Sequence, residues 1–484
     1  MSNRTFQSII CGILLCTLVF FAAGTYLVRP LWFDEALTVQ NFALLESVKS
    51  IYFNYVIPNN QLLYTMLLHY WIKLYCGVGA IDDWMRLLSL LLAGVTMLYM
   101  YRRFRITFGS GVMVVVLLAF CCAPPFLLHA TALRGYMAGA CCTVFALGAA
   151  LDYLSSGKFR HWACYFIFSL CSVAVLPSDM LALGGVCLYA LPLCGQEFWK
   201  NKRFYFLILA PFAAAALFYL PILQQLLQVI RVGSNESWKD LQGVLQAVYL
   251  PQLFTFAMLL LPLSSLLLCF RRKHFNWFRS CRAGIWLLPL IPILLFKAPP
   301  FPRVFFPLFP LFVLLVAAGL RDFTAIYCRL KKRFNHKFWI GGLCILSLSW
   351  CCIQQQPELK GLFSRCCGGA GRDDFYFPYY LRHGHTPDAT ARMIAADETL
   401  QKNRSFYFTF DSDPWPLMFY LRLNGRGNAD FLFDGPRGMV SALPSQTIVI
   451  LKLNEDQAAL AQRFKGNWTF LFKNDNHQVW SYDL

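Results

Sequence analysis

The sequence predicts an α-helical polytopic membrane protein, with about eleven transmembrane helices, one interfacial helix and a small C-terminal extracytoplasmic α/β domain. Three observations carry that reading. Of 484 residues, 58% are hydrophobic and only 14% charged, with a mean hydropathy of +0.50; soluble globular chains carry roughly 25% charged residues. Apolar stretches of about 17–25 residues, the length that crosses ~30 Å of hydrocarbon, recur from the N-terminus to about residue 353. After Gln354 the texture changes to short runs of β-branched and aromatic residues between turn signals.

The first apolar run, residues 8–28, is followed by Arg29-Pro30 and lacks a small-residue cleavage site. It reads as a retained span and not as a signal peptide. Basic residues gather in short loops: Arg102, Arg103 and Arg105; Lys158 and Arg160; Lys200, Lys202 and Arg203; Arg271, Arg272 and Lys273; Lys331, Lys332 and Arg333. That is the positive-inside pattern, so the net charge of +18 orients helices and argues against nucleic acid as a partner.

Parity then fixes the topology. With the N-terminus in the cytoplasm, a crossing at 61–78 would put every later basic loop outside. If 61–78 lies at the outer surface, all these clusters fall in the cytoplasm. Gln61, His69 and Lys73 among Tyr64, Tyr70, Trp71 and Tyr75 suit such an interfacial helix. The later spans are 86–101, 110–128, 135–154, 161–178, 180–195, 205–223, 248–270, 283–298, 304–320 and 338–353. The membrane domain is 1–353, with a first outer loop at 29–85, in a cell (inner) membrane; the C-terminal domain is 354–484 and extracytoplasmic.

In that domain, residues 405–411, 447–451, 468–472 and 478–482 read as strands. Thr386-Pro387 opens a helix with a cap and an N1 proline, Asp413-Pro414 opens another that Gly425 closes, and Asn454 caps a third. The 19 cysteines lie mostly in apolar spans, where they act as small hydrophobes. None follows Cys367 and no spacing reads as a zinc site.

The charges sort by side. At the outer helix ends stand Asp34, Glu35, Asp82, Asp83, Arg86, Arg134, Asp179, Arg231, Lys297 and Arg303, a mixed belt suited to handling an anion beside a general base. Asp34 and Glu35 are adjacent at the mouth of the first span, where ionised groups are costly.

Five stretches in order, over roughly residues 1–320, resemble the polytopic GT-C glycosyltransferases that use polyprenyl-phosphate sugars, among them the lipid A aminoarabinose transferases and protein O-mannosyltransferases. They are Leu31-Trp32-Phe33-Asp34-Glu35-Ala36, Pro58-Asn59-Asn60-Gln61-Leu62-Leu63-Tyr64, Trp84-Met85-Arg86-Leu87-Leu88-Ser89, Ala132-Leu133-Arg134-Gly135-Tyr136, and Pro302-Arg303-Val304-Phe305-Phe306-Pro307. Members commonly carry His where this chain has Gln61, and many carry Tyr where it has Val304. The resemblance implies a transferase that moves a sugar, with inversion, from a polyprenyl-phosphate donor to a glycan, glycolipid or protein acceptor outside the cytoplasm.

A sugar on a lipid phosphate has a good leaving group; it lacks a strong nucleophile and a sink for the phosphate charge. Asp34 is the candidate general base; its plainer reading is a helix N-cap. Glu35 has three readings: a metal ligand, an orienting group for the acceptor, or a carboxylate favoured by the helix dipole. Arg303, in a proline-stiffened turn, is the candidate phosphate fork, with Arg134 and Tyr136 next, then Lys297 and Arg86. No cofactor is certain; a divalent ion is an open requirement, with Glu35, Asp82 and Asp83 as weak ligands. His129 reads as an interfacial residue and Asp179 as a turn cap. Two other classes stand beside this one: a polymerase or ligase acting on lipid-linked glycans, which has no need of the acidic pair, and a polyprenyl-linked sugar transporter or flippase, for which polar residues belong near mid-span.

Overall fold

The computed structural model describes residues 3–22, 27, 29–54, 61–121, 124–195, 198–233, 282, 284–291, 302–330, 387–397, 400, 405–409, 412, 414–434, 439–453, 455–474 and 477–484. It divides into two compact units: 1–27 with 46–359, and 28–45 with 360–484. Residues 28–45, expected in the first outer loop, thus pack as one body with the C-terminal segment.

The first unit is helical. Its elements are α1 (Asn3–Phe21), α3 (Val48–Phe53), α4 (Leu62–Lys73), α5 (Ile81–Phe108), α6 (Ser110–Cys121), α7 (Pro124–Thr131), α8 (Tyr136–Ser156), α9 (Phe159–Val175), α10 (Met180–Ala190), α11 (Lys202–Tyr219), α12 (Leu223–Gly233) and α13 (Phe309–Leu330); α2 belongs to the other unit. Among the described residues five helical stretches are long and apolar enough to cross a membrane: Ile81–Phe108, Tyr136–Ser156, Pro177–Cys194, Lys202–Gln228 and Val304–Asp322. The expected spans at 248–270 and 338–353, and most of 283–298, lie outside the described residues.

Several boundaries differ from expectation for local reasons. The expected 86–101 span is the 28-residue α5, about 42 Å long. Asp82 and Asp83 start it at the positive end of the dipole, Arg105 stands in its last turn, and Gly109 at φ +91° ends it. The expected 110–128 span is divided between α6 and α7, whose first two residues are Pro124 and Pro125. The segment expected to lie at the surface is α4, twelve residues with Lys73 in its last turn. At about 18 Å it is too short to cross.

Helix ends of the first unit gather in two groups. In one, Arg103 pairs with Asp152 at 2.6 Å, Arg203 donates to Leu154 O at 3.2 Å, and Arg321 donates to Thr107 O at 3.1 Å. The expected cytoplasmic loops at 102–105, 158–160 and 200–203 thus meet at one end. The clusters at 271–273 and 331–333 lie outside the described residues or their described side chains. At the opposite end, α4 packs on α3, α5 and α9. Tyr219 donates to Val173 O at 2.7 Å there, and Gln225 donates to Phe53 O at 2.9 Å.

The second unit holds α2 (Phe33–Thr38, continued by a π turn at Val39–Ala43), α14 (Pro387–Ala396), α15 (Pro414–Leu423), α16 (Gln457–Arg463) and a five-stranded sheet. The strands are β1 (Ser405–Phe408), β2 (Asp430–Phe433), β3 (Thr447–Lys452), β4 (Asn467–Lys473) and β5 (His477–Asp483), in the order β2-β1-β3-β5-β4. β1 is parallel to β2 and β3; β5 is antiparallel to β3 and β4. Strand β1 is buried along its whole length, as a parallel strand covered on both faces must be. Tyr407, Val449, Leu451 and Tyr482 pack under Phe464 and Leu460 beside α16. Phe406 and Phe408 stack on Phe431, on the face where Arg422 of α15 lies over the Phe431 ring.

The expected strands are present, and β2 is an additional one. Pro387 and Pro414 each begin a helix, and Gly425 ends α15 at φ +88°, with Arg426 N–H donating to Leu421 O. The cap of α16 is a correction: Asp456, not Asn454, accepts from Ala458 N–H at 2.9 Å. Glu455 holds the preceding turn by accepting from Lys452 N–H and Thr409 Oγ1, which delays the helix start past 454.

Candidate active site

The acidic pair sits on α2. Trp32 is the N-cap and Asp34 and Glu35 are the second and third helical residues. Asp34 therefore does not act as the N-cap. It is half-buried, and its carbonyl accepts from Thr38 Oγ1 at 2.7 Å. Glu35 is fully buried; Oε1 takes Arg29 Nη2 at 3.1 Å and Oε2 takes Trp32 N–H at 3.3 Å. Those contacts close the open N-terminal turn of α2 with a carboxylate at the positive end of its dipole.

The mount of α2 comes from 375–389 residues further along the chain. Leu31 N–H donates to Tyr420 Oη at 2.9 Å, Gln40 Nε2 donates to Trp415 O at 2.7 Å, and Arg422 donates to Gln40 Oε1 at 2.7 Å. Three bonds from residues of α15 thus hold both ends of the segment that carries Asp34.

In the first unit the expected outer residues converge. Arg86 and Arg134 are 0% and 1% exposed, burial that long cationic side chains almost never show without a reason. Arg86 Nη1 donates to Thr131 O at 3.0 Å, and Arg134 Cζ lies 5.7 Å over the Tyr136 ring. Ser89 Oγ donates to Ala132 O at 2.6 Å and meets Tyr64 Oη at 2.7 Å. Gln61 Oε1 accepts from Gly135 N–H. The loop between α7 and α8, which carries Arg134, is therefore held from α4 and α5 together.

His129 stands at the same end, its ring 5.1 Å from Tyr136 and 4.3 Å from Phe306. Asp179 is buried at 1% exposure and takes Ser172 Oγ at 3.2 Å. A Cβ added at Gly139 would collide with the Asp179 carboxylate and lie 3.1 Å from Pro307. The 3-10 turn Pro302–Leu308, which carries Arg303, packs on α8, α10 and the Pro177–Asp179 turn. The side chain of Arg303, that of Arg231, and Lys297 lie outside the described residues. Asp82 is buried and Asp83 half-buried in the first turn of α5. Among the described residues no three of His, Cys, Asp and Glu cluster as metal ligands.

Two features, one in each unit, escaped the sequence reading. Gln61 was marked as a departure from a pattern, yet it is a structural partner of Gly135. Arg29 was read only as a flank of the first span, yet it is the ion-pair partner of Glu35. The sequence signal for both was a polar residue placed just outside an apolar helix.

No protein-family model and no curated protein matches the chain by sequence. Solved structures do match. ArnT from Cupriavidus metallidurans, bound to undecaprenyl phosphate, superposes with a TM-score of 0.60 at 12% identity, over 99% of this chain and 98% of ArnT. The chain shares its fold with ArnT. The apo form of ArnT gives a TM-score of 0.56 at 13% identity over the same shares. The resemblance to GT-C transferases read from the motifs is borne out at the level of fold. The five apolar span candidates among the described residues, with the small sheet, fit a polytopic membrane protein.

Proposed function

We propose that this protein is an integral membrane glycosyltransferase that moves a sugar from a polyprenyl-phosphate carrier to an acceptor on the extracytoplasmic face. The observation that carries the reading is the end-to-end likeness to ArnT, a protein solved with undecaprenyl phosphate bound. The buried cations at one helical end support it. Asp34 is the general base: it takes the proton of an acceptor hydroxyl as that oxygen attacks the anomeric carbon. The lipid phosphate leaves with the bonding electron pair, and Arg134 and Arg303 carry its charge. A single displacement inverts the anomeric centre. The phosphate is a good leaving group, so no strong general acid is needed.

In this reading the chain makes eleven crossings, with the three clustered basic loops in the cytoplasm and Asp34 outside, in a cell (inner) membrane. The acceptor is a glycan, glycolipid or protein.

The test uses purified full-length protein in lipid nanodiscs with undecaprenyl-phosphate sugars and envelope glycolipids or glycans as acceptors. Transfer with inversion, lost in a folded Asp34→Asn variant, is the expected result. Full transfer by Asp34→Asn points instead to a polymerase or ligase without a carboxylate base. Movement of the lipid-linked sugar across the bilayer with no transfer points to a flippase.

A further inference from the structure

We infer that Gln61 is a positioning residue: its side-chain oxygen fixes the backbone of the Arg134 loop, so the short helix α4 sets the place of a cation in the phosphate site. The inference rests on the assignment of Arg134 made above.

Gln61 occupies the N-cap of α4, but its side chain makes no cap bond to that helix. It reaches instead across 74 residues of sequence to the Gly135 N–H. The amide orientation follows from that bond, because a backbone N–H needs the oxygen and not the NH₂ group. Gln61 is 1% exposed, so the bond is shielded from bulk water.

Glycine at 135 is required by the same contact. A Cβ there would lie 2.5 Å from Val175 Cγ1, 3.0 Å from Tyr64 Cβ and 3.1 Å from Gln61 Oε1. Close approach of α4 and the end of α9 is thus built around a missing side chain. Three further bonds secure the same five-residue stretch: Arg86 to Thr131 O, Ser89 to Ala132 O, and Tyr64 to Ala132 O at 3.4 Å. Gln61 holds its C-terminal end, at the peptide that directly follows Arg134.

This explains why the position needs no acid–base group. The requirement is an acceptor at a fixed reach, which Gln meets and the neutral nitrogen of His also meets.

The experiment is a double-mutant cycle on the full-length protein in nanodiscs, reading KM for an undecaprenyl-phosphate sugar, kcat, and thermal stability. Gln61→Met keeps length and removes the acceptor; Gln61→His restores one; Arg134→Gln removes the cation. Gln61→Met is expected to raise KM about tenfold with kcat within about twofold. The effect should vanish in the Arg134→Gln background, and Gln61→His should bring KM back towards the parent value. A Gln61→Met effect that persists undiminished without Arg134, or a parental KM in Gln61→Met beside a raised KM in Arg134→Gln, overturns the inference alone. A parental KM in Arg134→Gln overturns the phosphate assignment and the inference with it. If Gln61→Met does not fold, Gln61→His against Gln61→Asn supplies the comparison, since Asn keeps the amide but lacks the reach; equal KM values for the two count against the inference.

Discussion

At the scale of single residues, adjacent carboxylates have different surroundings. Glu35 is buried against Arg29 and the Trp32 N–H, whereas Asp34 stays half-buried on the next position of the helix. Removing one partner of a buried ion pair costs about 3–5 kcal/mol. Glu35→Ala should therefore lower thermal stability, and Asp34→Asn should abolish sugar transfer at an unchanged melting temperature. Calorimetry beside a transfer assay separates the two. A partly exposed pair, Asp434 with Arg463, allows a signed pH prediction. Burial alone would raise the Asp434 carboxyl. Bonds from Arg463, the Tyr407 hydroxyl and the Val440 N–H outweigh it and hold the group at about 2, below its ordinary 3.8. Burial, then the Asp434 carboxylate, push the Tyr407 phenol well above its ordinary range. A depressed carboxyl contributes stability that is present above its unfolded value and is lost as pH falls through the folded one. Asp434→Asn should thus destabilise the C-terminal unit by about 1–3 kcal/mol at neutral pH, and the difference should shrink as pH drops from 4 towards about 2. Melting curves of both proteins across that range check it.

At the scale of elements, legibility followed locality. Prolines 387 and 414 and Gly425 act through their own backbone, so their helix boundaries could be read directly. The strand β2 could not: Asp430–Phe433 is four residues, and it is held by pairing with β1, which no local pattern announces. The non-crossing character of α4 was legible because polar and aromatic residues mark its faces. Its role was not, since the Gln61–Gly135 bond depends on a tertiary neighbour 74 residues away. The same logic applies along α8, where Gly139 leaves room for Asp179 and Pro307. Gly139→Ala should overpack that seam and cost about 1–3 kcal/mol, read as a lower melting temperature in detergent, while Ala138→Gly on the neighbouring position should lack this steric effect.

At the scale of the whole molecule, the order of motifs made the fold legible although sequence identity to ArnT is only 12%. The gathering of basic loops at one end and of Arg86, Arg134 and Asp179 at the other followed from charge placement alone. The grouping of 28–45 with 360–484 was beyond reach, because α2 is tied by Tyr420, Trp415 and Arg422, residues that carry no pattern pointing back. That grouping sharpens the expected effect of truncation. Ending the chain at 359 should abolish transfer altogether instead of redirecting it to other acceptors, and product analysis of the truncated protein decides between these outcomes. It also orders events during synthesis. The ribosome releases Asp34 several hundred residues before Tyr420, so the nascent chain carries α2 without its mount until its last segment has been made. Such a protein gains activity only on completion, and co-expressing 360–484 as a separate secreted polypeptide should restore a truncated chain.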